Sequence, residues 1–161
     1  MQKLLIGFIV LFTIVPFTFY GKNPDYIVLH KQVSISVKSG SLNTRTEILL
    51  QINTREGGDA ADFELNYSPA EKLKGLNAWI QDTTGKILRK LEKKNITTRS
   101  DYYSTFYSDY MVKRFDLRHN RFPYQIHLEY EYEESEFLHI ADWSPVYYTN
   151  APTLDASLTV N

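Results

Sequence analysis

A chain of 161 residues has room for one domain with a sizeable buried core and no room for a second. Its formal charge of −1 gives no general attraction toward nucleic acid or an anionic membrane, and 7 glycines and 6 prolines are too few for a disordered linker or a collagen-like chain. Aromatic residues make up 14%, which suits half-buried strands because rings pack well on a pleated surface.

Met1-Gln2-Lys3 followed by the uncharged run Leu4 to Phe19 has the positive start and apolar middle of a secretory signal peptide. The run is long and Thr18-Phe19-Tyr20-Gly21 is a poor cleavage site, so the competing reading is an uncleaved membrane anchor. Residues 1–21 are thus expected to be a leader or anchor, and 22–161 a single domain outside the cytoplasm. Membrane attachment is expected only if the leader stays on. With no cysteine, neither a disulfide nor cysteine lipidation is available, so the hydrophobic core must hold the domain. That favours the periplasm or cell surface of a bacterium. Asn95-Ile96-Thr97 matches a glycosylation sequon, a short motif that chance supplies readily.

From Ile27 to Val37, the apolar residues Ile27, Leu29, Val33, Ile35 and Val37 alternate with His30, Gln32, Ser34 and Ser36, the pattern of a strand with one buried face. Ser39-Gly40 supplies a turn, and Thr44 to Ile52 repeats the pattern, giving a hairpin. After Gly57-Gly58-Asp59, a third strand places Ala61, Phe63, Leu65 and Tyr67 inward until Ser68-Pro69 stops it. Leu76, Ala78 and Ile80 begin a second hairpin, which turns at Asp82-Thr83-Thr84-Gly85 into Ile87 to Leu91. Its outer half, rich in Arg89, Lys90, Lys93 and Lys94, could instead form a short helical turn. Arg99 to Tyr110 has no clean period and reads as a long loop or irregular edge, and Met111 to Leu117 looks extended.

The clearest strand runs from Tyr124 to Glu134, with Tyr124, Ile126, Leu128, Tyr130 and Tyr132 on a core face and Gln125, His127, Glu129, Glu131 and Glu133 on a wet one. Phe137 to Trp143 is a shorter apolar segment, and Leu154, Ala156, Leu158 and Val160 alternate once more. Eight or so short strands and no helix of convincing length predict an all-β, antiparallel β-sandwich, with an open barrel as the alternative. The sequence stops inside its last alternating pattern, so the sandwich is expected to be truncated at its C-terminal end.

Tyr26-Ile27-Val28-Leu29-His30, Tyr67-Ser68-Pro69-Ala70-Glu71-Lys72-Leu73, Asp82-Thr83-Thr84-Gly85-Lys86, Tyr107-Ser108-Asp109 before Arg114-Phe115-Asp116-Leu117, and Ala141-Asp142-Trp143 carry a family resemblance. Together they resemble the N-terminal domain of unknown function that precedes a transglutaminase-like core in bacterial envelope proteins. The resemblance implies a β-sandwich whose catalytic cysteine, histidine and aspartate belong to a later core. This chain has no cysteine and no room for that core, so no active-site residue carries over. The implied role is a non-catalytic accessory domain whose partner is a transglutaminase-like or peptidase-like module on the same chain or a separate one.

Cysteine nucleophiles are absent, and no Gly-x-Ser-x-Gly elbow occurs. His30, His119, His127 and His139 show no metal-ligand spacing, so neither metal nor cofactor is expected. Glu129, Glu131 and Glu133 share a strand face, where charges are ordinary and basic residues on a neighbour would balance them. Trp79 and Trp143 read as core or core-edge residues. Tyr102, Tyr103, Phe106, Tyr107 and Tyr110 are the candidate binding group, because rings on an irregular loop stack on sugars or anchor a protein. Covering an open end of the core would use the same rings. A stand-alone glycan-binding or protein-binding module is therefore the second functional expectation.

Overall fold

The computed structural model describes residues 23–100, 110–140 and 143–161, so the predicted leader lies outside it. Its strands are β1 (Tyr26–Lys38), β2 (Ser41–Ile52), β3 (Asp62–Tyr67), β4 (Glu71–Gln81), β5 (Ile87–Lys90), β6 (Thr97–Ser100), β7 (Met111–Asp116), β8 (Tyr124–Glu134) and β9 (Ala156–Val160). They form a six-stranded sheet in the order β5-β4-β8-β2-β1-β9 and a three-stranded sheet in the order β3-β7-β6. The predicted all-β fold with antiparallel sheets is present, and the described strands form no closed barrel. One ladder differs: β9 runs parallel to β1, from Lys31 opposite Ala156 to Ile35 opposite Val160.

The β1–β2 hairpin turns through Ser39 and Gly40, both with positive φ (52° and 78°). Two such residues make the tight turn whose twist matches that of paired strands. Along β1 the predicted alternation holds only in part. A bulge between Val28 and His30 gives Leu29 no partner on β2 and shifts the phase by one residue. Val28, not Ile27 or Leu29, is therefore fully buried before the bulge, and Lys31, Val33 and Ile35 face inward after it. Val37, expected inside, is 46% exposed.

A second bulge, between Leu73 and Gly75, keeps Leu73 and Leu76 on one face although they are three residues apart. The predicted start of this strand at Leu76 was five residues late, because the bulge breaks the period of two. Lys93–Asn95 forms a short 3-10 turn, so the helical alternative holds for that part of the basic stretch, whereas Arg89 and Lys90 lie in β5; Glu56–Ala61 forms another 3-10 turn. Phe137 to Trp143 makes no strand over its described residues: Leu138 is 96% exposed and Trp143, expected near the core, is 36% exposed.

The sheets share one core. Ile80, Ile126, Leu50 and Val28 line up across β4, β8, β2 and β1, and the next row begins Ala78, Leu128, Ile48. Phe63, Leu65, Phe115 and Leu117 close over them from the small-sheet side, with the Phe63 and Phe115 rings stacked at 5.4 Å. Each fully buried Ile or Leu contributes about 1.5–3 kcal/mol of transfer free energy. β3, β6 and β7 are four to six residues long, whereas β1, β2, β4 and β8 have eleven to thirteen. The small sheet therefore covers only part of the large one, and a second cluster of Val33, Ile35 and Leu42 lies beyond it under Phe137 and Leu158.

Candidate functional site

Beyond the small sheet, the inner face of the large sheet forms a cavity of about 380 Å³. Its floor is Val33, Ile35, Leu42, Thr44 and Tyr132, and its rim carries Glu71, Glu134, Glu136 and His139. The strand register explains the rim: Glu71 of β4 and Glu134 of β8 are direct partners, placing two like charges opposite each other. Burial raises the Glu71 carboxyl above its ordinary range, and the Glu134 charge adds to the rise. The Tyr132 hydroxyl donates to the Asn66 carbonyl at 2.7 Å, and burial holds its pKa far above the ordinary phenol value. A phenol so placed supplies no base near neutral pH. Among the described residues, the lining contains no serine, cysteine or lysine, and the cavity offers apolar surface, carboxylates and the Thr44 hydroxyl. Among the described residues, no group of three or more His, Asp or Glu is placed to hold a metal ion.

The connection from β8 to β9 lines this cavity at Glu136 and Leu138 and then follows the β1 edge away from it. Val28 donates to the Pro152 carbonyl at 3.0 Å, and Leu154 donates to the Val28 carbonyl at 2.9 Å. Lys31, turned inward by the β1 bulge, donates to the Ser144 carbonyl at 2.8 Å and lies 5.6 Å from the centre of the Tyr147 ring. Burial lowers its pKa. Tyr147 and Tyr148 pack edge to face, and the Tyr148 hydroxyl, its pKa pushed up to about 12 by burial, donates to the Ala60 carbonyl at 3.1 Å.

The outer face of the large sheet carries the polar residues of the alternating strands. Trp79 stacks on His127 at 3.9 Å, and His127 Nε2 is 3.3 Å from Glu47. Burial is the main cause lowering the His127 pKa; Glu47 opposes the shift and His30 adds to it. A chain of amides crosses three strands: Trp79 Nε1 donates to Gln81, Gln81 to Gln125, Gln125 to Gln51, and Gln51 to Asn53. Gln125 is thereby only 9% exposed, so the face expected to be wet begins dry. Glu129 pairs with Arg45, and Glu133 with Lys74 at 3.0 Å, the basic neighbours expected for that acidic row.

Of the candidate binding group, Tyr102, Tyr103, Phe106 and Tyr107 lie outside the described residues. Tyr110, the fifth, is 53% exposed just before β7. The carboxylates of the end cavity were missed in the sequence. The three-residue spacing of Leu73 and Leu76 was the available signal, since it marks the bulge that brings Glu71 into the strand.

Residues 38–161 match the family DUF3857, a domain of unknown function with a solved structure. No curated protein matches the chain in sequence. A crystal structure of a putative protease from Parabacteroides distasonis superposes on 84% of this chain with a TM-score of 0.71 and 12% identity. The chain spans 28% of the length of that protein. Legionella pneumophila aminopeptidase A (69% of this chain, 11% of that one, 14% identity) and yeast LTA4 hydrolase (66%, 14% and 9%) each give a TM-score of 0.34.

Proposed function

Because this chain belongs to the DUF3857 family of domains of unknown function, we propose that it is a non-catalytic accessory domain which packs against and positions a transglutaminase-like or peptidase-like module. That module is carried on the same polypeptide or on a separate one. The observation behind the reading is that this fold recurs as a minor part of a longer chain described as a putative protease. The positive start and apolar run at the N-terminus support export to a bacterial periplasm or cell surface.

The test has two arms. The purified chain is expected neither to hydrolyse labelled casein nor to incorporate a labelled amine into it. In source cells, deleting codons 38–161 is expected to lower the amount or activity of a transglutaminase-like or peptidase-like protein in the envelope fraction, read by quantitative mass spectrometry and the same two assays. Turnover by the chain alone, or an envelope unchanged by the deletion, would overturn the proposal.

A further inference from the structure

The charges of this nearly neutral chain are segregated. Residues 72–121 hold twelve of its eighteen Lys and Arg but only five of its nineteen Asp and Glu. The arginines of that span largely face acids: Arg114 pairs with Asp62, Arg99 with Glu64 at 3.3 Å, and Arg118 with Asp59 at 2.9 Å. The lysines differ. Lys72, Lys74, Lys93 and Lys113 ring a groove between β4 and the β6–β7 side of the small sheet. Lys74 reaches Glu133, and Lys113 lies 5.4 Å from the centre of the Tyr67 ring. Among the described residues, Lys72 and Lys93 have no acidic partner.

The groove consists of two cavities, of about 430 and 360 Å³, that meet at Leu73 and Lys74. Met111 and Pro69 line the first, Leu76 and Ile96 the second, so each has an apolar wall beneath the ammonium groups. From this pairing of apolar cavities with a cationic rim we infer that the groove docks an extended acidic segment of a partner polypeptide with interspersed apolar side chains. An acidic polysaccharide would satisfy the lysines but leave the apolar walls unfilled. Between Lys72 and Leu76 the strand rises roughly 13 Å at about 3.3 Å per residue, so four or five extended residues span both cavities. Carboxylates at alternate positions would meet the rim while the side chains between them enter the cavities. The inference does not rest on the accessory-domain reading, because a stand-alone chain would present the same groove.

The test uses a fluorescein-labelled random copolymer of glutamate and tyrosine, titrated with the purified chain at near-physiological salt and read by fluorescence anisotropy. Saturable binding is expected, weakened about tenfold in the Lys72→Glu/Lys93→Glu variant by replacing attraction with repulsion at the rim. The Lys86→Glu/Lys90→Glu variant, which changes charges away from both cavities, is expected to bind as the parent does. Polyglutamate and polygalacturonate are expected to bind more weakly than the copolymer. Absence of saturable binding, equal affinity for either polyanion, or equal loss in the Lys86/Lys90 variant would each overturn the inference. Thermal melts of both variants show whether they remain folded, and single Lys72→Gln and Lys93→Gln variants give the same readout without charge reversal.

Discussion

Gly57 is held by its surroundings. A Cβ there would stand 2.2 Å from the Asp25 carbonyl oxygen, which already accepts from the Asn53 amide at 2.9 Å and the Thr54 amide at 3.3 Å. Backbone pressed on backbone has no flexible end to yield, so Gly57→Ala is expected to cost about 1–3 kcal/mol in urea unfolding. Two titratable residues should act on stability in opposite directions. His127 has a folded pKa below its ordinary 6.5, so the unfolded chain takes up a proton that the fold resists. Its contribution is present above pH 6.5 and is lost as pH falls from there to the folded pKa. His127→Phe, which keeps a ring beside Trp79, should flatten the pH dependence of unfolding free energy in that window. Glu71 has a folded pKa above its ordinary 4.5, so its charged form costs stability at neutral pH and the cost fades as pH falls through the folded pKa. Glu71→Gln should therefore stabilise the protein at pH 7, by less than about 1 kcal/mol given its partial exposure, and make little difference near pH 4.

At the scale of elements, β8 and β2 are paired on both sides, whereas β5 and β9 form the edges of the large sheet. Native-state hydrogen exchange should accordingly be slowest for amides of Ile48, Leu50, Ile126 and Leu128 and fastest in β5 and β9. Protection in β9 equal to that in β8 would show that the edge opens only with the whole fold. What could be read in advance follows the same division. Tyr124 to Glu134 alternates without interruption, Thr44 to Ile52 does so except at Leu49, and both became central strands, and the Ser39-Gly40 and Asp82 to Gly85 turns carry residues that fix their own geometry. The bulge at Lys74 left only the three-residue spacing of Leu73 and Leu76 as its mark, and the one at Leu29 was not legible, because Ile27, Leu29, Val33 and Ile35 continue a period of two straight through it. Nor was the β1–β9 ladder, since parallel pairing across some 125 residues leaves no local mark. The end cavity was hidden on its β4 side: Val33 and Ile35 were legible as inward-facing, whereas the bulge at Lys74 sets the phase that brings in Glu71.

For the whole molecule, one core joining two sheets implies one unfolding unit. Ile126→Ala should destabilise the protein by about 2–5 kcal/mol and melt both sheets together, with circular dichroism and NMR of the Phe63 and Phe115 rings giving the same midpoint. The parallel lie of β1 and β9 has a further, mechanical consequence. Pulling Tyr26 and Val160 apart along the strand axis loads the β1–β9 hydrogen bonds in shear, all at once, instead of peeling them one after another as in an antiparallel hairpin pulled from its open end. Within a tethered polypeptide, this edge would act as a force clamp.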